Sequence, residues 1–313
     1  MKTFAAFSAA AVLALGAAAP ALAQHHGSEA QAGHGHHHAD FESGRFHVRV
    51  DGPAEPVGDV ILIPGLASSP EVWDGLTEEL KGRYRVHRLH VQGFAGAEPE
   101  DNAEGPVAAP VAEDIARYIT EQGLEKPALI GHSMGGTIAM MVAARHPDSV
   151  GKLMVVDMVP FIGAMFAAPG TNPTAESLAP TAEAIYASQT TGPEDAYRQR
   201  MATTVTGMIR TEAARAGPLE DAATSDRQVA ASAYRELILT DLRPELAAIT
   251  APTRVLYVAF EMPGMTPAMT DGIYNASFAT LPGASLKRID DSAHFIMLDQ
   301  PAAFAAEVNA FLE

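Results

Sequence analysis

Short apolar runs alternate with amphipathic stretches along most of this chain. Residues 46–50 alternate apolar and polar side chains, which is typical of a half-exposed strand, and residues 60–63 form a wholly apolar run typical of a buried parallel strand. The same criteria predict further strands at 84–91, 127–130, 152–157, 252–258 and 285–289. Helical patterns predict helices at 70–81, 110–122, 137–145, 268–279 and 301–312. Strands that alternate with helices predict an α/β fold with a mostly parallel sheet and helices on both faces.

The alternation of strands and helices is interrupted between residues 161 and 246. This segment contains no convincing strand and several helical stretches, of which 194–210 and 225–239 are the clearest. It is much longer than an ordinary connection within a sheet, although connecting helices are one interpretation of it. Met165 and Met208 suit an adaptable apolar pocket in this segment, and methionine at helical spacing equally suits a plain core.

Ser133 lies between an apolar strand and a buried helix, with a glycine two positions before it and another two positions after it. A turn between a strand and a helix forces an unfavourable backbone conformation on its central residue, and Gly131 and Gly135 let the flanking backbones approach without a clash. Such a turn lifts the hydroxyl clear of the sheet. It also points the N–H of Met134 to where an oxyanion would develop, near the positive end of the helix dipole. A glycine-rich turn with an incidental serine is the alternative.

The Gly-His-Ser-Met-Gly run at residues 131–135 resembles the nucleophile elbow of the α/β-hydrolase family. A second run, at 294–301, places a histidine after the last predicted strand and follows it with an acidic residue and a proline, which resembles the region of that family's catalytic histidine. The likeness extends over nearly all of residues 46–312. The resemblance implies that Ser133 is the nucleophile and that His294 is the general base.

The family's triad also contains an acid, for which this sequence offers two positions. The usual family position follows the strand at 252–258, where no aspartate is present and Glu261 is the nearest acid. The second position known in the family follows the strand after the nucleophile, where Asp157 stands 24 residues beyond Ser133. A carboxylate that ends a buried strand at the ligand edge of the sheet is well placed to fix the tautomer of an imidazole. We favour Asp157 over Glu261, with the capping of the following turn as the alternative role of Asp157.

The resemblance also implies a second oxyanion donor in the loop after residues 60–63. The matching residue is Leu66, preceded by Pro64-Gly65 where the family often has His-Gly. Because the donor is a backbone N–H group, this departure leaves it in place. Leu66 and Met134 are therefore the predicted oxyanion-hole residues.

The chain divides into four predicted parts. The first 23 residues combine one lysine, a short apolar core and an Ala-x-Ala ending, which is typical of a secretory signal peptide. Residues 24–44 contain six histidines and few apolar residues, which predicts a disordered linker. Residues 45–160 and 247–313 are predicted to form the α/β-hydrolase core, and the resemblance implies that 161–246 forms a helical cap over the active site. Because of the predicted signal peptide, we expect this protein to be bacterial and to be periplasmic or secreted.

Composition limits the partners and cofactors that we expect. A net charge of −17 opposes nonspecific binding to nucleic acid or to an anionic membrane, so neither is expected as a partner after signal cleavage. The absence of cysteine means that the fold does not depend on disulfides. No cofactor and no catalytic metal are predicted. A flexible tail lacks the fixed geometry of a metal site, so the histidines of 24–44 predict at most weak binding of divalent metals.

A serine nucleophile with a histidine base predicts acyl transfer to water. On this hypothesis an ester, thioester or lactone acylates Ser133, His294 protonates the leaving group, and water activated by His294 releases the acid. An apolar cap with few charged pocket candidates favours a small or medium uncharged carboxylic ester. The alternatives are cleavage of a carbon–carbon bond or peracid formation by the same residues, and a non-catalytic ligand-binding or sensor protein with this fold.

Overall fold

The computed structural model describes residues 41–168, 170–261, 264–281 and 283–313. The predicted signal peptide and most of the predicted linker lie outside these ranges. The last four residues of that linker are packed on the fold, since the ring centroids of Phe41 and Tyr118 lie 5.0 Å apart and the Ser43 hydroxyl donates to Asp114 at 2.6 Å. The folded part of the chain thus begins slightly before the predicted boundary at residue 45.

The strands of the described chain form one seven-stranded sheet in the order β1-β3-β2-β4-β5-β6-β7. They are β1 (Phe46–Asp51), β2 (Asp59–Ile63), β3 (Arg85–Val91), β4 (Ala128–His132), β5 (Lys152–Val156), β6 (Thr253–Tyr257) and β7 (Ser285–Arg288). Neighbouring strands are parallel except for β1, which pairs antiparallel with β3. The prediction of a mostly parallel sheet is confirmed.

Helices connect the strands and cover the sheet. They are α1 (Asp74–Leu80), α2 (Ala108–Glu121), α3 (Met134–Arg145), α4 (Ala175–Thr190), α5 (Glu194–Gly207), α6 (Ala216–Thr224), α7 (Arg227–Leu239), α8 (Pro267–Ser277), α9 (Ile296–Asp299) and α10 (Pro301–Leu312). The predicted helix at 70–81 is divided into a 3₁₀ turn over Pro70–Trp73 and the helix α1. Helix α3 begins earlier than predicted, because helical backbone follows Ser133 directly.

Side chains that alternate along the buried strands supply a hydrophobic layer on each face of the sheet. In β2, Ile61 and Ile63 share a buried cluster with residues of α2, α3 and α8, whereas Val60 and Leu62 share one with residues of α1 and α10. All four side chains are fully buried, and burial of one side chain of this size stabilises the fold by about 1.5–3 kcal/mol. The sheet is therefore covered on both faces, which leaves the carboxyl ends of its strands as the place for a ligand.

Between β5 and β6 the described chain contains helices and no strand. Helix α4 packs on α7, and helix α5 packs on α6. Residues of α4 and α7 form a small buried apolar cluster with Phe161, whose other members are Leu178, Ala182 and Ile238. The expected helical insertion is confirmed, and its predicted limits at 161 and 246 stay a prediction. No helix of the described ranges is both long and apolar enough to cross a membrane.

Glu236 of α7 fixes the insertion to the core at the start of α2. Its carboxylate accepts the backbone N–H groups of Val107, Ala108 and Ala109 at 2.6, 2.7 and 2.8 Å. The first N–H groups of a helix have no partner within the helix, and a carboxylate there also meets the positive end of the helix dipole. A side chain of the insertion therefore caps a helix of the core.

Two further carboxylates join the same two parts of the chain. Asp221 of α6 accepts from the backbone N–H of Ser69 at 2.9 Å and from the Ser69 hydroxyl at 2.7 Å. Asp299 of α9 accepts from the backbone N–H groups of Arg210 and Thr211, in the connection between α5 and α6, at 3.1 and 2.8 Å. These contacts set the position of the insertion over the carboxyl ends of the strands.

Candidate active site

Ser133 occupies a strained turn between β4 and α3. Its backbone has φ 53° and ψ −120°, a conformation that non-glycine residues rarely adopt. Hydrogen bonds hold the turn on both sides, since the Ser133 N–H donates to the Val156 carbonyl at 2.9 Å and the Ser133 carbonyl accepts from Gly136 at 2.8 Å. Strain that the surrounding structure maintains in this way is typical of functional residues.

The glycines on either side of Ser133 are required by close backbone contacts. A Cβ atom on Gly131 would lie 2.0 Å from the carbonyl oxygen of Gly135, and a Cβ atom on Gly135 would lie 2.1 Å from the carbonyl oxygen of Ile63. Neither contact is possible for a larger residue without movement of the backbone. The spacing seen in the sequence is therefore a steric requirement of this turn.

Asp157 ends β5 and contacts the imidazole of His294. The distance between Asp157 Oδ2 and His294 Nδ1 is 2.6 Å, which is short and typical of a charge-assisted hydrogen bond. The other carboxylate oxygen, Oδ1, accepts from the backbone N–H of Val258 at 3.1 Å and from the hydroxyl of Tyr274 at 2.9 Å. Asp157 is only 7% exposed, so these donors replace water around a buried carboxylate.

Tyr274 is a partner of the carboxylate that the sequence did not reveal. Burial raises the pKa of its phenol well above the ordinary value, and the negative charge of Asp157 raises the pKa further. The hydroxyl therefore stays protonated and donates to Asp157 throughout the neutral range. Tyr274 lies in α8 with the apolar spacing of an ordinary core position, which is why its sequence gave no signal of this role.

The loop that carries His294 is held from two directions. Asp299 accepts the N–H of Ala293 at 2.8 Å, and His132 Nε2 lies 3.0 Å from the carbonyl oxygen of His294. Because a carbonyl can only accept, Nε2 of His132 carries the proton in this contact. Asp299 is the acidic residue of the sequence run at 294–301. Its role in the structure is to hold the loop that carries His294.

His132 is a fully buried neutral imidazole beside the site. Burial lowers its pKa well below the ordinary value, and the nearby His294 lowers the pKa further. The ring centroids of the two histidines lie 4.5 Å apart. In the part of the chain that the structure describes, Nδ1 of His132 has no hydrogen-bond partner. His132 thus adds no charge next to His294 at neutral pH.

Glu261, the other candidate acid, does not reach the imidazole of His294. Its carboxylate pairs with the guanidinium of Arg210, and its side chain is 61% exposed. The structure therefore brings Asp157, and not Glu261, to Nδ1 of His294.

The two predicted oxyanion donors flank Ser133. Met134 is the first residue of α3, and Leu66 lies in the loop after β2, which passes so close that a Cβ atom on Gly65 would lie 3.2 Å from Cβ of Ser133. Among the described residues, neither the N–H of Leu66 nor that of Met134 donates to a protein acceptor. Both donors are therefore available to a ligand at the serine.

A cavity of about 590 Å³ opens over this edge of the sheet and is lined by Ser133, Asp157 and His294 among others. The helical insertion supplies much of the remaining lining, which is dominated by apolar side chains. These include Ile162, Met165, Met201, Val205, Met208 and Leu237. A cavity of this size and character suits a small organic molecule with a mostly apolar body.

The described ranges contain no group of three or more His, Asp or Glu side chains that could hold a metal ion. The histidines of the predicted linker at residues 25–38 lie outside those ranges. Their predicted weak metal binding stays a prediction.

Comparison with known proteins gives a consistent picture. The model of the alpha/beta hydrolase family matches residues 60–307. A pimeloyl-[acyl-carrier protein] methyl ester esterase from Citrobacter koseri is 26% identical over 261 residues, which cover 80% of this chain and 92% of that protein. The counterpart from Pectobacterium atrosepticum is 25% identical over 264 residues, which cover 82% of this chain and 94% of that protein.

Solved structures resemble the fold over most of its length. A hydrolase from Pseudomonas aeruginosa has a TM-score of 0.69 at 21% identity, and covers 85% of this chain and 94% of its own. An enol-lactonase from Burkholderia xenovorans has a TM-score of 0.67 at 19% identity, and covers 85% of this chain and 96% of its own. At these identities the likeness shows the fold alone.

Proposed function

Because this chain belongs to the α/β-hydrolase family, whose model spans most of its length, we propose that it is an exported serine hydrolase that cleaves a small or medium uncharged carboxylic ester. One observation carries the proposal: the 2.6 Å contact between Asp157 and His294 lies at a cavity that Ser133 also lines. The relatives that are methyl ester esterases support ester hydrolysis as the activity.

In the first half of the reaction, the Ser133 hydroxyl attacks the ester carbonyl while Nε2 of His294 takes its proton. Asp157 holds the other imidazole proton on Nδ1, which leaves Nε2 free as the base and stabilises the imidazolium that forms. The carbonyl oxygen becomes an oxyanion between the N–H groups of Leu66 and Met134. One such donor contributes about 3–4 kcal/mol to lowering the barrier.

In the second half, His294 returns its proton to the departing alkoxide, which leaves as the alcohol. The acyl group is now bound to Ser133 as an ester. Water then attacks this acyl-enzyme, Nε2 of His294 takes the proton from the water, and the carboxylic acid is released as Ser133 recovers its proton. Each proton that leaves Ser133 or the water is accounted for by the same imidazole.

The substrate class follows from the cavity. Its lining contains no lysine or arginine among the described residues, and its carboxylates Glu261 and Asp157 already contact Arg210 and His294. A charged substrate would lose its hydration without a partner to replace it, which costs several kcal/mol. An uncharged ester meets no such penalty.

The proposal also includes export and weak metal binding, both of which concern the N-terminal 44 residues. The N-terminal sequence supports cleavage after residue 23 and delivery to the periplasm or the medium, and the histidines of 24–44 support weak binding of divalent metals apart from catalysis. Deletion of residues 24–40 is expected to remove the metal binding and to leave ester hydrolysis unchanged.

The test of the nucleophile combines turnover with covalent labelling. We expect Ser133→Ala to lose the hydrolysis of p-nitrophenyl butyrate and the labelling by a fluorophosphonate probe, since both need the Ser133 hydroxyl. Ser188→Ala, on the exposed surface of α4, is the matched control and should retain both signals. Turnover by the Ser133→Ala variant at the parent rate would reject the proposal. A parent protein that is folded but takes no label would favour a non-catalytic ligand-binding or sensor protein.

A further inference from the structure

Most polar side chains that line the cavity are already paired within the protein. The hydroxyl of Thr204 donates to the carbonyl of Arg200 at 2.9 Å, the hydroxyl of Ser68 donates to the carbonyl of Leu66 at 3.3 Å, and Glu261 pairs with Arg210. These groups offer little to a ligand. The remaining polar side chains of the cavity are therefore the ones that can recognise a substrate.

Tyr234 of α7 is one of them. It lines the cavity, its ring lies 6.5 Å from that of Phe166, and its side chain packs against two apolar clusters of the protein. In the described part of the chain its hydroxyl makes no hydrogen bond. Burial raises the pKa of this phenol, so the group stays neutral and can donate. Because Tyr234 is half-buried and lines the cavity, this unpartnered hydroxyl is available to a ligand.

Gln189 of α4 is the second of them. Its backbone carbonyl accepts from the guanidinium of Arg227, which fixes the end of this helix against α7. Gln189 lines the cavity, and its side-chain amide makes no hydrogen bond among the described residues. Both residues therefore line the cavity from the helical insertion, on two helices that pack together.

We propose that Tyr234 and Gln189 form a polar subsite that recognises an uncharged oxygen function of the substrate, separate from the ester that is cleaved. A phenol and an amide can donate hydrogen bonds to a ketone, a hydroxyl or a second ester group. The cavity lining contains no lysine or arginine among the described residues to balance a carboxylate. The substrate class is thus a bifunctional neutral ester. This inference rests on the proposed hydrolysis at Ser133.

The test compares esters of one length in the parent and in Tyr234→Phe. The substrates are methyl hexanoate, its 3-, 4- and 5-oxo derivatives, and monomethyl adipate as the carboxylate analogue. We expect the parent to hydrolyse at least one oxo-ester with a kcat/KM about three- to tenfold above that of methyl hexanoate, as one neutral hydrogen bond provides. In Tyr234→Phe this preference should fall to near unity, because KM should rise much more for the oxo-ester than for methyl hexanoate.

Two further variants sharpen the comparison. Gln189→Leu keeps the side-chain volume and should lower the same preference. Tyr197→Phe is the matched control, because Tyr197 is buried in α5 beneath the guanidinium of Arg227 and does not line the cavity, so the preference should persist.

The outcomes separate the subsite from the reaction. An oxo-ester preference that persists in Tyr234→Phe, an equal loss for all substrates, or a parent preference for the carboxylate would each overturn the subsite while leaving ester hydrolysis in place. A parent protein that hydrolyses none of the esters would instead reject the proposed function, and the subsite with it.

Discussion

Replacement of Asp157 by Asn tests the proposed acid with little change in shape. In the parent, Asp157 Oδ1 accepts from the N–H of Val258 and from the hydroxyl of Tyr274, while Oδ2 faces Nδ1 of His294. An asparagine has only one side-chain oxygen. Because two donors point at the Oδ1 position, the oxygen of the new side chain is expected to stay there, which turns its NH₂ group towards His294.

The consequence is the wrong tautomer of the imidazole. Nδ1 of His294 would have to accept from the NH₂ group, so its proton would move to Nε2, where the base must be free. The same change in a protease triad lowers kcat by about 10⁴-fold. That factor corresponds to about 5.5 kcal/mol of lost transition-state stabilisation. We expect a loss of this order in Asp157→Asn.

The assay is steady-state hydrolysis of p-nitrophenyl butyrate across a pH series, with thermal unfolding to show that the variant is folded. Glu261→Gln is the matched control, since Glu261 pairs with Arg210 on the surface and should retain nearly full activity. An Asp157→Asn variant within about tenfold of the parent would refute the role argued from these hydrogen bonds. A larger loss in Glu261→Gln would transfer that role to the other acid.

Two further predictions concern the joint between insertion and core. Glu236→Ala removes the acceptor of three N–H groups at the start of α2, so the free energy of unfolding should fall by about 2 kcal/mol. For a folded part of this size, that loss should lower Tm by about 3–4 °C. The exposed control Glu220→Ala should leave Tm unchanged. Burial raises the pKa of Asp299, but the N–H groups of Thr211, Ala293 and Arg210 outweigh it and hold that pKa below its ordinary value. The stabilisation from ionised Asp299 is therefore present above the unfolded pKa of about 3.9 and is lost as pH falls through the folded pKa. In urea unfolding, the free energy of unfolding of Asp299→Asn should be lower than that of the parent near neutral pH, and this difference should narrow below about pH 4. A deficit that is constant down to pH 3 would contradict this reasoning.

The fold could be predicted from the sequence because its signals are local. The apolar run at 60–63 and the strand before Ser133 are too short for helices and too apolar for an edge, so they specify buried strands. The steric reason for Gly131 lies in the same turn, since a Cβ atom there would meet the carbonyl oxygen of Gly135, whereas the reason for Gly135 lies in the neighbouring strand, at the carbonyl oxygen of Ile63. The antiparallel pairing of β1 was not predicted, because the alternation within 46–50 does not specify a strand's direction.

Within the insertion, prediction was less complete. Helices α5 and α7 were expected, whereas α4 and α6 were not predicted individually. Helix α4 contains Pro180, and only Leu178 and Ala182 are buried along its 16 residues, so its sequence has no clear apolar stripe. The helix is defined by its contacts with α7, which are tertiary and leave little trace in a single chain.

Prediction of the candidate site from the sequence was limited in the same way. Sequence position alone left Asp157 and Glu261 both open, because either could follow a strand at the ligand edge. Distance separated them, since only Asp157 contacts His294. Tyr274 and Tyr234 could not be found from the sequence, because each lies at an apolar helical position and its hydroxyl acquires meaning only from its surroundings in the fold.

The donors that join the insertion to the core are mainly backbone N–H groups, which any residue except proline retains. Substitutions at positions 107–109 or 210–211 therefore leave these bonds in place, whereas Asp221, Glu236 and Asp299 are individually irreplaceable by apolar residues. Libraries that diversify the cavity walls should therefore keep these three acids. The chain is, in this respect, a suitable starting point for directed evolution of ester selectivity.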